Sequence, residues 1–214
     1  MVRLNGGQRN ACRRRGNANA RGHRLPWDGN ELIAGLSDAG YELRDLDRIL
    51  VTHFDFDHVG GLTAFDGLDV TIYVGERDAP LVTGERAPPL GNQKGAFQRF
   101  LSPFLDAPDN DVVSLNDGDT VGSFTVYHTP GHTPGHVCYV SEERSLGLLG
   151  DLVRESSGRF EPSPWLVSYD TDAVARSIRD FVERAPGFEI AVPGHGVPFE
   201  EGGSAKLSEL AATL

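Results

Sequence analysis

The sequence feature that most constrains the fold is a short apolar run that ends in a cluster of histidine and aspartate. Residues 48–53 predict a buried strand, because Ile, Leu and Val follow one another there. The carboxyl end of this strand and the turn after it carry four candidate side chains, which are His53, Asp55, Asp57 and His58. In α/β proteins, functional side chains follow the carboxyl ends of strands. We therefore expect an α/β fold with a site at this strand end.

Three later segments add one candidate side chain each. His132 lies in a segment rich in Gly and Pro, and Asp151 and His195 each end an apolar strand in the predicted structure. A lone histidine is more often a core or surface residue, but imidazoles and carboxylates gathered at strand ends are typical ligands of divalent metals. We expect His136 to support the ligands rather than bind metal, and His128 to be an ordinary strand residue.

Periodicity predicts the elements that surround these segments. Helices are expected at residues 30–40, 76–82, 170–183 and 206–213, and further strands at 70–74, 136–140, 145–149 and 189–192. The runs 112–115 and 120–127 predict a hairpin, because an Asn-Asp-Gly turn lies between them. Segment 84–110 is interpreted as a lid with a short internal helix, and loop 158–169 as a second determinant of selectivity.

Taken together and in this order, the segments resemble the metallo-β-lactamase superfamily. The family pattern is H-x-H-x-D-H followed by separate His, Asp and His ligands, and the resemblance covers roughly residues 28–200. It implies an α/β fold of the αββα sandwich type. It also implies that the usual functional residues of the family can be carried over one by one.

The resemblance implies two divalent metal ions. The implied ligands are His53, Asp55 and His132 for the first metal, Asp57, His58 and His195 for the second, and Asp151 as a bridge between them. A hydroxide between the metals would attack a carbonyl group. The implied catalytic residues are Asp57, which orients this nucleophile, and the bridging Asp151.

Asp55 departs from the family pattern, which has histidine at this position. With Asp55, Asp57 and Asp151 ionised, three carboxylates and one hydroxide would neutralise two divalent cations. The centre should then be a weaker Lewis acid than usual. Zinc is the expected metal, but an additional oxygen ligand shifts the preference toward manganese or iron, so these metals stay open.

Residues 1–27 differ sharply from the rest of the sequence. They hold seven arginines, no acidic residue and few large apolar residues, which predicts a disordered basic tail. We expect the hydrolase domain at residues 28–214. The tail shows nothing like the paired strands that begin most family members, so we expect a fold that lacks them, through a genuine extension or a misread start.

Composition excludes several classes of function. Residues 28–214 hold 13 basic and 31 acidic residues, and such a body should repel nucleic acid. No apolar stretch reaches the length of a membrane span and no signal-peptide core is evident, so we expect a cytoplasmic protein without membrane partners. Cys12 and Cys138 lie in very different contexts, which argues against a disulfide.

The remaining features favour a hydrolase similar to glyoxalase II that acts on a thioester, a lactone or a related ester, with a small molecule as its partner. Two alternatives stay open. One is a diiron oxidoreductase, because the flavodiiron branch of the same fold carries a carboxylate at the position of Asp55. The other is an inactive, truncated relative. The sequence leaves the substrate and the oligomeric state undetermined.

Overall fold

The computed structural model describes residues 30–214. The predictions for residues 1–27, a basic disordered tail in place of the usual first strands, lie outside the described residues, as does Cys12. The described helices are α1 (Asn30–Asp38), α2 (Phe56–Val59), α3 (Ala79–Val82), α4 (Gln93–Leu101), α5 (Thr171–Arg184) and α6 (Gly203–Ala211). None of them combines the length and the apolar character needed to cross a bilayer.

Nine strands are described, and they form two sheets. The strands are β1 (Arg48–Val51), β2 (Thr71–Gly75), β3 (Val112–Leu115), β4 (Thr120–Val121), β5 (Phe124–His128), β6 (Val137–Ser141), β7 (Leu146–Ser156), β8 (Arg159–Pro162) and β9 (Ile190–His195). Strands β1, β2 and β3 form a parallel sheet. Strands β4 to β8 form an antiparallel sheet in sequence order, and β9 joins it by pairing in parallel with β7. Short 3₁₀ turns cover Leu43–Asp45, Leu62–Phe65, Ser102–Phe104 and Trp165–Val167.

The two sheets face each other across an apolar layer. Leu50 of the first sheet packs in one cluster with Phe124 and Tyr139 of the second. The Tyr139 hydroxyl donates a hydrogen bond of 2.7 Å to the Val51 carbonyl, which satisfies its polar atom inside this layer. The sheets are therefore joined by apolar contact and by a direct polar contact.

Helices cover the outer faces of both sheets. Leu36 of α1 packs in the cluster that contains Ile49 of the first sheet. Ile178 of α5 and Leu207 of α6 pack in the cluster that contains Leu149 of the second sheet. Each helix buries its apolar stripe against a sheet. The layers are helix, sheet, sheet and helix, which confirms the predicted αββα fold class.

The predicted hairpin between residues 112–115 and 120–127 is wrong. Strand β3 pairs in parallel with β2 in the first sheet, so the Asn-Asp-Gly turn leads from one sheet to the other. The run 120–127 is itself divided into β4 and β5, which pair with each other around Gly122, a residue with φ of +62°. Strand β8 was not predicted, because residues 158–169 were interpreted as a loop.

A buried aspartate connects two loops that carry candidate ligands. The Asp78 carboxylate, fully buried beside α3, accepts hydrogen bonds from the Phe54 amide at 2.8 Å, the Gly135 amide at 2.8 Å and the Thr133 hydroxyl at 2.6 Å. Burial raises the pKa of Asp78, although these hydrogen bonds oppose the shift. The segment after β1 and the loop before β6 are thus held to one point.

We expect Asp78→Asn to destabilise the fold by about 1–3 kcal/mol, because the amide group would direct N–H donors at the Gly135 amide in a buried site. Urea denaturation followed by circular dichroism measures this change. Asp170→Asn is the matched control, since Asp170 caps α5 at the exposed Ala173 amide and asparagine caps nearly as well. Equal stability of the two variants would contradict the role assigned to Asp78.

Candidate metal centre

The seven predicted ligands converge at one end of the sandwich. Ligand atoms lie within 4.8 Å of one another in three overlapping sets, which are His53, Asp55 and His132; His53, His58 and Asp151; and Asp57, His58 and His195. Local structure explains the first segment. Strand β1 ends before His53, and α2 begins after Asp55, whose carboxylate accepts a hydrogen bond from the Phe56 amide.

The first predicted ligand set is buried. The Asp55 Oδ2 atom lies 3.4 Å from His132 Nε2 and 4.0 Å from His53 Nε2. His132 Nδ1 lies 2.7 Å from the Ser163 hydroxyl, and His53 Nδ1 lies 3.0 Å from the Thr52 hydroxyl. Both rings are therefore held through Nδ1 and direct Nε2 toward the centre, as metal-binding imidazoles commonly are.

The second predicted set lies nearer the solvent, and Asp151 stands between the two sets. Asp57 Oδ2 is 3.7 Å from His58 Nε2 and 3.3 Å from His195 Nε2. The Asp151 carboxylate is 3.3 Å from His58 and 3.2 Å from His195, and 3.4 Å from His132 of the first set. Asp151 thus contacts histidines of both sets, and its bridging role stays a prediction.

Asp151 lies within a strand rather than at its end, which corrects the prediction. Strand β7 continues to Ser156, and its register with β9 shifts on both sides of Gly150, which has φ of +50°. This irregularity turns the Asp151 side chain into the centre. Gly194 leaves the necessary room, since a Cβ atom there would lie 1.7 Å from Asp151 Oδ1.

Lys94, which was not among the predicted site residues, also reaches the centre. This side chain extends from α4 and is 4 % exposed, and its Nζ atom lies 2.9 Å from Asp55 Oδ2 and 2.6 Å from His132 Nε2. Gln98, one turn further along α4, donates to the Phe54 carbonyl and to Asp55 Oδ1. The available signal was that Lys94 is one of only two lysines in the chain.

The ionisable groups around the centre shift one another's pKa values. Burial raises the pKa of Asp55, but contacts with His132 and Lys94 outweigh this effect and hold the pKa below its usual value. Burial lowers the pKa of His53 and so keeps its imidazole neutral, the form that binds metals. Hydrogen bonds with Asp151 and Asp57 raise the pKa of His195 to about 10. The carboxylates near His195 thus favour the positively charged form of its imidazole, or another cation in its place.

Unpaired polar atoms support a metal at this centre. Among the described residues, His53 Nε2 and Asp151 Oδ1 are buried without a hydrogen-bond partner, although His58 Nε2 lies 3.3 Å from that oxygen, and the neighbouring His136 Nε2 is unpaired as well. Leaving such an atom unpaired costs about 1–3 kcal/mol. Imidazole nitrogen and carboxylate oxygen are ligand types that zinc, manganese and iron accept. The residues therefore fit a divalent ion on the side of His53, His58 and Asp151, whereas Lys94 already contacts two ligands of the first set.

The other two histidines of this region stand apart from these sets. His136 is buried, its Nδ1 lies 2.8 Å from the Thr129 hydroxyl, and its ring centroid is 5.1 Å from that of His53. His128 directs Nε2 to the Pro134 carbonyl at 3.0 Å. Neither residue belongs to the three ligand sets, and the role of His136 in supporting the ligands stays a prediction.

A cleft of about 490 Å³ opens over the centre. Its apolar lining comes from Phe56, Phe97, Leu101, Val153, Pro164 and Val167. The predicted lid segment contributes α4 with Phe97 and Leu101, and the predicted second loop contributes Pro164 and Val167. Both segments border the site, as the sequence analysis expects.

Two curated proteins of named activity are similar to this chain. The acyl-coenzyme A thioesterase MBLAC2 of Bos taurus is 30 % identical over 178 residues, which cover 76 % of this chain and 60 % of the thioesterase. The hydroxyacylglutathione hydrolase of Methylobacterium nodulans is 33 % identical over 135 residues, which cover 62 % of this chain and 43 % of that enzyme. The chain thus spans less than two thirds of either relative.

A solved structure and a family model point to the same family as these two relatives. The crystal structure of TTHA1623 in a di-iron-bound form superposes with a TM-score of 0.61 and 26 % identity, over 86 % of this chain and 84 % of the other. The family model of the metallo-β-lactamase superfamily matches residues 20–195, which is most of the sequence and includes all seven predicted ligands. The chain therefore belongs to the metallo-β-lactamase superfamily.

Proposed function

We propose that this protein is a metal-dependent hydrolase that cleaves a thioester, a lactone or a related ester of a small molecule. The observation that carries the proposal is the convergence of seven His and Asp side chains, with His53 Nε2 and Asp151 Oδ1 buried and unpaired. Relatives named as a thioesterase and a hydroxyacylglutathione hydrolase support the reaction class. Both names describe enzymes that cleave thioesters.

In this proposal the protein side chains hold the metal and orient the reactants. A bound divalent ion would polarise the substrate carbonyl and lower the pKa of water for attack. Asp57 has a side chain that is 44 % exposed, and it borders the cleft beside His195. Its carboxylate is placed to orient the attacking water and to accept the proton that is released. Asp151 holds His58 and His195 at fixed distances.

Metal number and identity belong to the same proposal. The two-metal form that the family pattern implies requires His53, Asp55 and His132 to be available together. Zinc is the expected ion, with manganese or iron favoured to the extent that Asp55 binds it. The diiron oxidoreductase alternative depends on Asp55 as an iron ligand. The contact between Asp55 and Lys94 speaks against that alternative, so we favour the hydrolase.

The cleft favours a substrate with an apolar acyl group. Its lining is mostly apolar near α4, where Phe97 is more than half exposed, and Val167 on the opposite segment is 42 % exposed. Contiguous exposed apolar surface next to a polar centre is characteristic of a ligand site. We infer that the acyl portion lies along Phe97 and Leu101 while the carbonyl group faces the ligands.

A screen of thioesters, lactones and phosphoesters, with the metal content measured in parallel, tests the proposed reaction. We expect His58→Ala to lose bound metal and at least about 100-fold in kcat/KM, because a metal ligand contributes more than the groups that orient it. His128→Ala is the matched control and should keep both, since the His128 ring is directed to the Pro134 carbonyl and belongs to none of the ligand sets. Equal losses in the two variants, or a wild-type protein without esterase activity after metal loading, would refute the proposal.

We expect Phe97→Ala to raise KM about tenfold for esters with a long acyl chain, because it removes apolar surface from the cleft. Acetyl esters should show a much smaller change. Phe100→Ala is the control, since Phe100 lies on the same helix and is exposed but does not line the cleft. Steady-state kinetics across acyl lengths measures the difference. If KM changed equally in the two variants, the acyl group would not bind along this part of the cleft.

A further inference from the structure

We propose that the Lys94 ammonium takes the place of one of the two metal cations that the family pattern implies, so that this centre holds a single divalent ion. The inference rests on the proposed function, because it concerns the metal count of the same site. Lys94 occupies Asp55 and His132 of the first set. The side chains left for the single ion are His53, Asp57, His58, Asp151 and His195.

The lone pair of the His132 imidazole is engaged by Lys94. A neutral imidazole has one acceptor nitrogen, and an ammonium group can only donate. The Lys94 Nζ atom is 2.6 Å from His132 Nε2, so Nε2 accepts and Nδ1 donates to the Ser163 hydroxyl 2.7 Å away. The electron pair with which His132 would bind a metal is therefore directed at Lys94. One of the three ligands of the first set is unavailable while this contact exists.

The charges of the centre balance with one divalent ion. Asp55, Asp57 and Asp151 together carry three negative charges when ionised, and one divalent ion and the Lys94 ammonium neutralise them when the bound nucleophile is water. Two divalent ions beside Lys94 would leave two positive charges with a bound water and one with a bridging hydroxide, in a mostly buried centre where like charges repel strongly. The charge of Asp55, in the place of a neutral histidine, thus matches that of the ammonium.

The unpaired atoms of the centre are unevenly distributed. Asp55 and His132 Nε2 have their polar partners in Lys94 and Gln98. Among residues 30–214, the ligand atom His53 Nε2 is buried without a hydrogen-bond partner, and Asp151 Oδ1 has only the His58 ring 3.3 Å away. Both belong to the set that also contains His58. The need for a cation therefore remains on one side of the centre only.

The position of Lys94 is fixed by its helix. Asn92 caps α4 through the Gly95 amide at 2.8 Å and donates to the Tyr169 carbonyl at 3.1 Å. The Tyr169 hydroxyl donates to Gln98 at 2.6 Å. Gly95 packs so closely that a Cβ atom there would lie 2.0 Å from the Pro89 carbonyl oxygen. The backbone on both sides of Lys94 is anchored, so the position of the ammonium in the centre is fixed by the fold.

The test is the number of ions that the full-length protein binds. Protein freed of metal with a chelator is dialysed against Zn²⁺, and the zinc per chain is measured by mass spectrometry. We expect one ion in the wild type and in the control Lys206→Leu, which removes the other lysine of the chain. We expect two ions in Lys94→Leu. With Co²⁺, the wild type should give the paramagnetic resonance signal of an isolated ion, and Lys94→Leu that of a coupled pair.

Two ions in the wild type, or one ion in Lys94→Leu, would overturn the inference. If loss of the ammonium leaves Asp55 unpaired and that variant does not fold, Lys94→Leu/Asp55→His supplies three imidazoles in its place and should bind two ions. A wild type with two ions and ester hydrolysis overturns the inference and leaves the proposed function standing. A wild type that binds no ion and hydrolyses no ester overturns both.

Discussion

The geometry of the centre depends on the buried carboxylate of Asp78. The segment after β1 and the loop before β6 come from different sheets, and each has a backbone amide that no ladder hydrogen bond satisfies. Asp78 accepts from both amides and from Thr133, so one side chain fixes how the loop of His132 stands against the segment of His53. Buried polar groups that are fully paired specify a single arrangement. The placement of His132 relative to His53 therefore depends on this connection.

The parts of the molecule that follow from local pattern could be predicted from the sequence. The seven His and Asp residues could be identified because each lies beside an apolar run or a Gly-rich turn, and all seven meet in space. The partner of β3 could not, since an Asn-Asp-Gly turn serves a hairpin and a crossing between sheets equally well. Lys94 could not be identified either, because its role depends on how α4 packs over the centre. No spacing within residues 84–110 encodes that contact.

The departure at Asp55 is best understood together with its contact to Lys94. A carboxylate at the buried position of Asp55 lacks compensation without a cation, and a lysine that is 4 % exposed lacks it without an anion. Breaking a buried ion pair by removing one partner costs several kcal/mol, since the other charge is left behind. Each residue therefore constrains the other, and neither can revert to a neutral side chain alone without penalty.

Helix α4 presents two different surfaces to the same cleft. Lys94 and Gln98 face the charged centre, while Phe97 and Leu101 line the apolar wall where we place the acyl group. Because both surfaces belong to one helix of nine residues, a change in how the apolar wall packs also changes the surroundings of the ammonium. Binding energy gained far from the reacting carbonyl can thus be spent at the carbonyl. Substitutions in α4 that change the preferred acyl group would therefore also change the electrostatic environment of the metal centre.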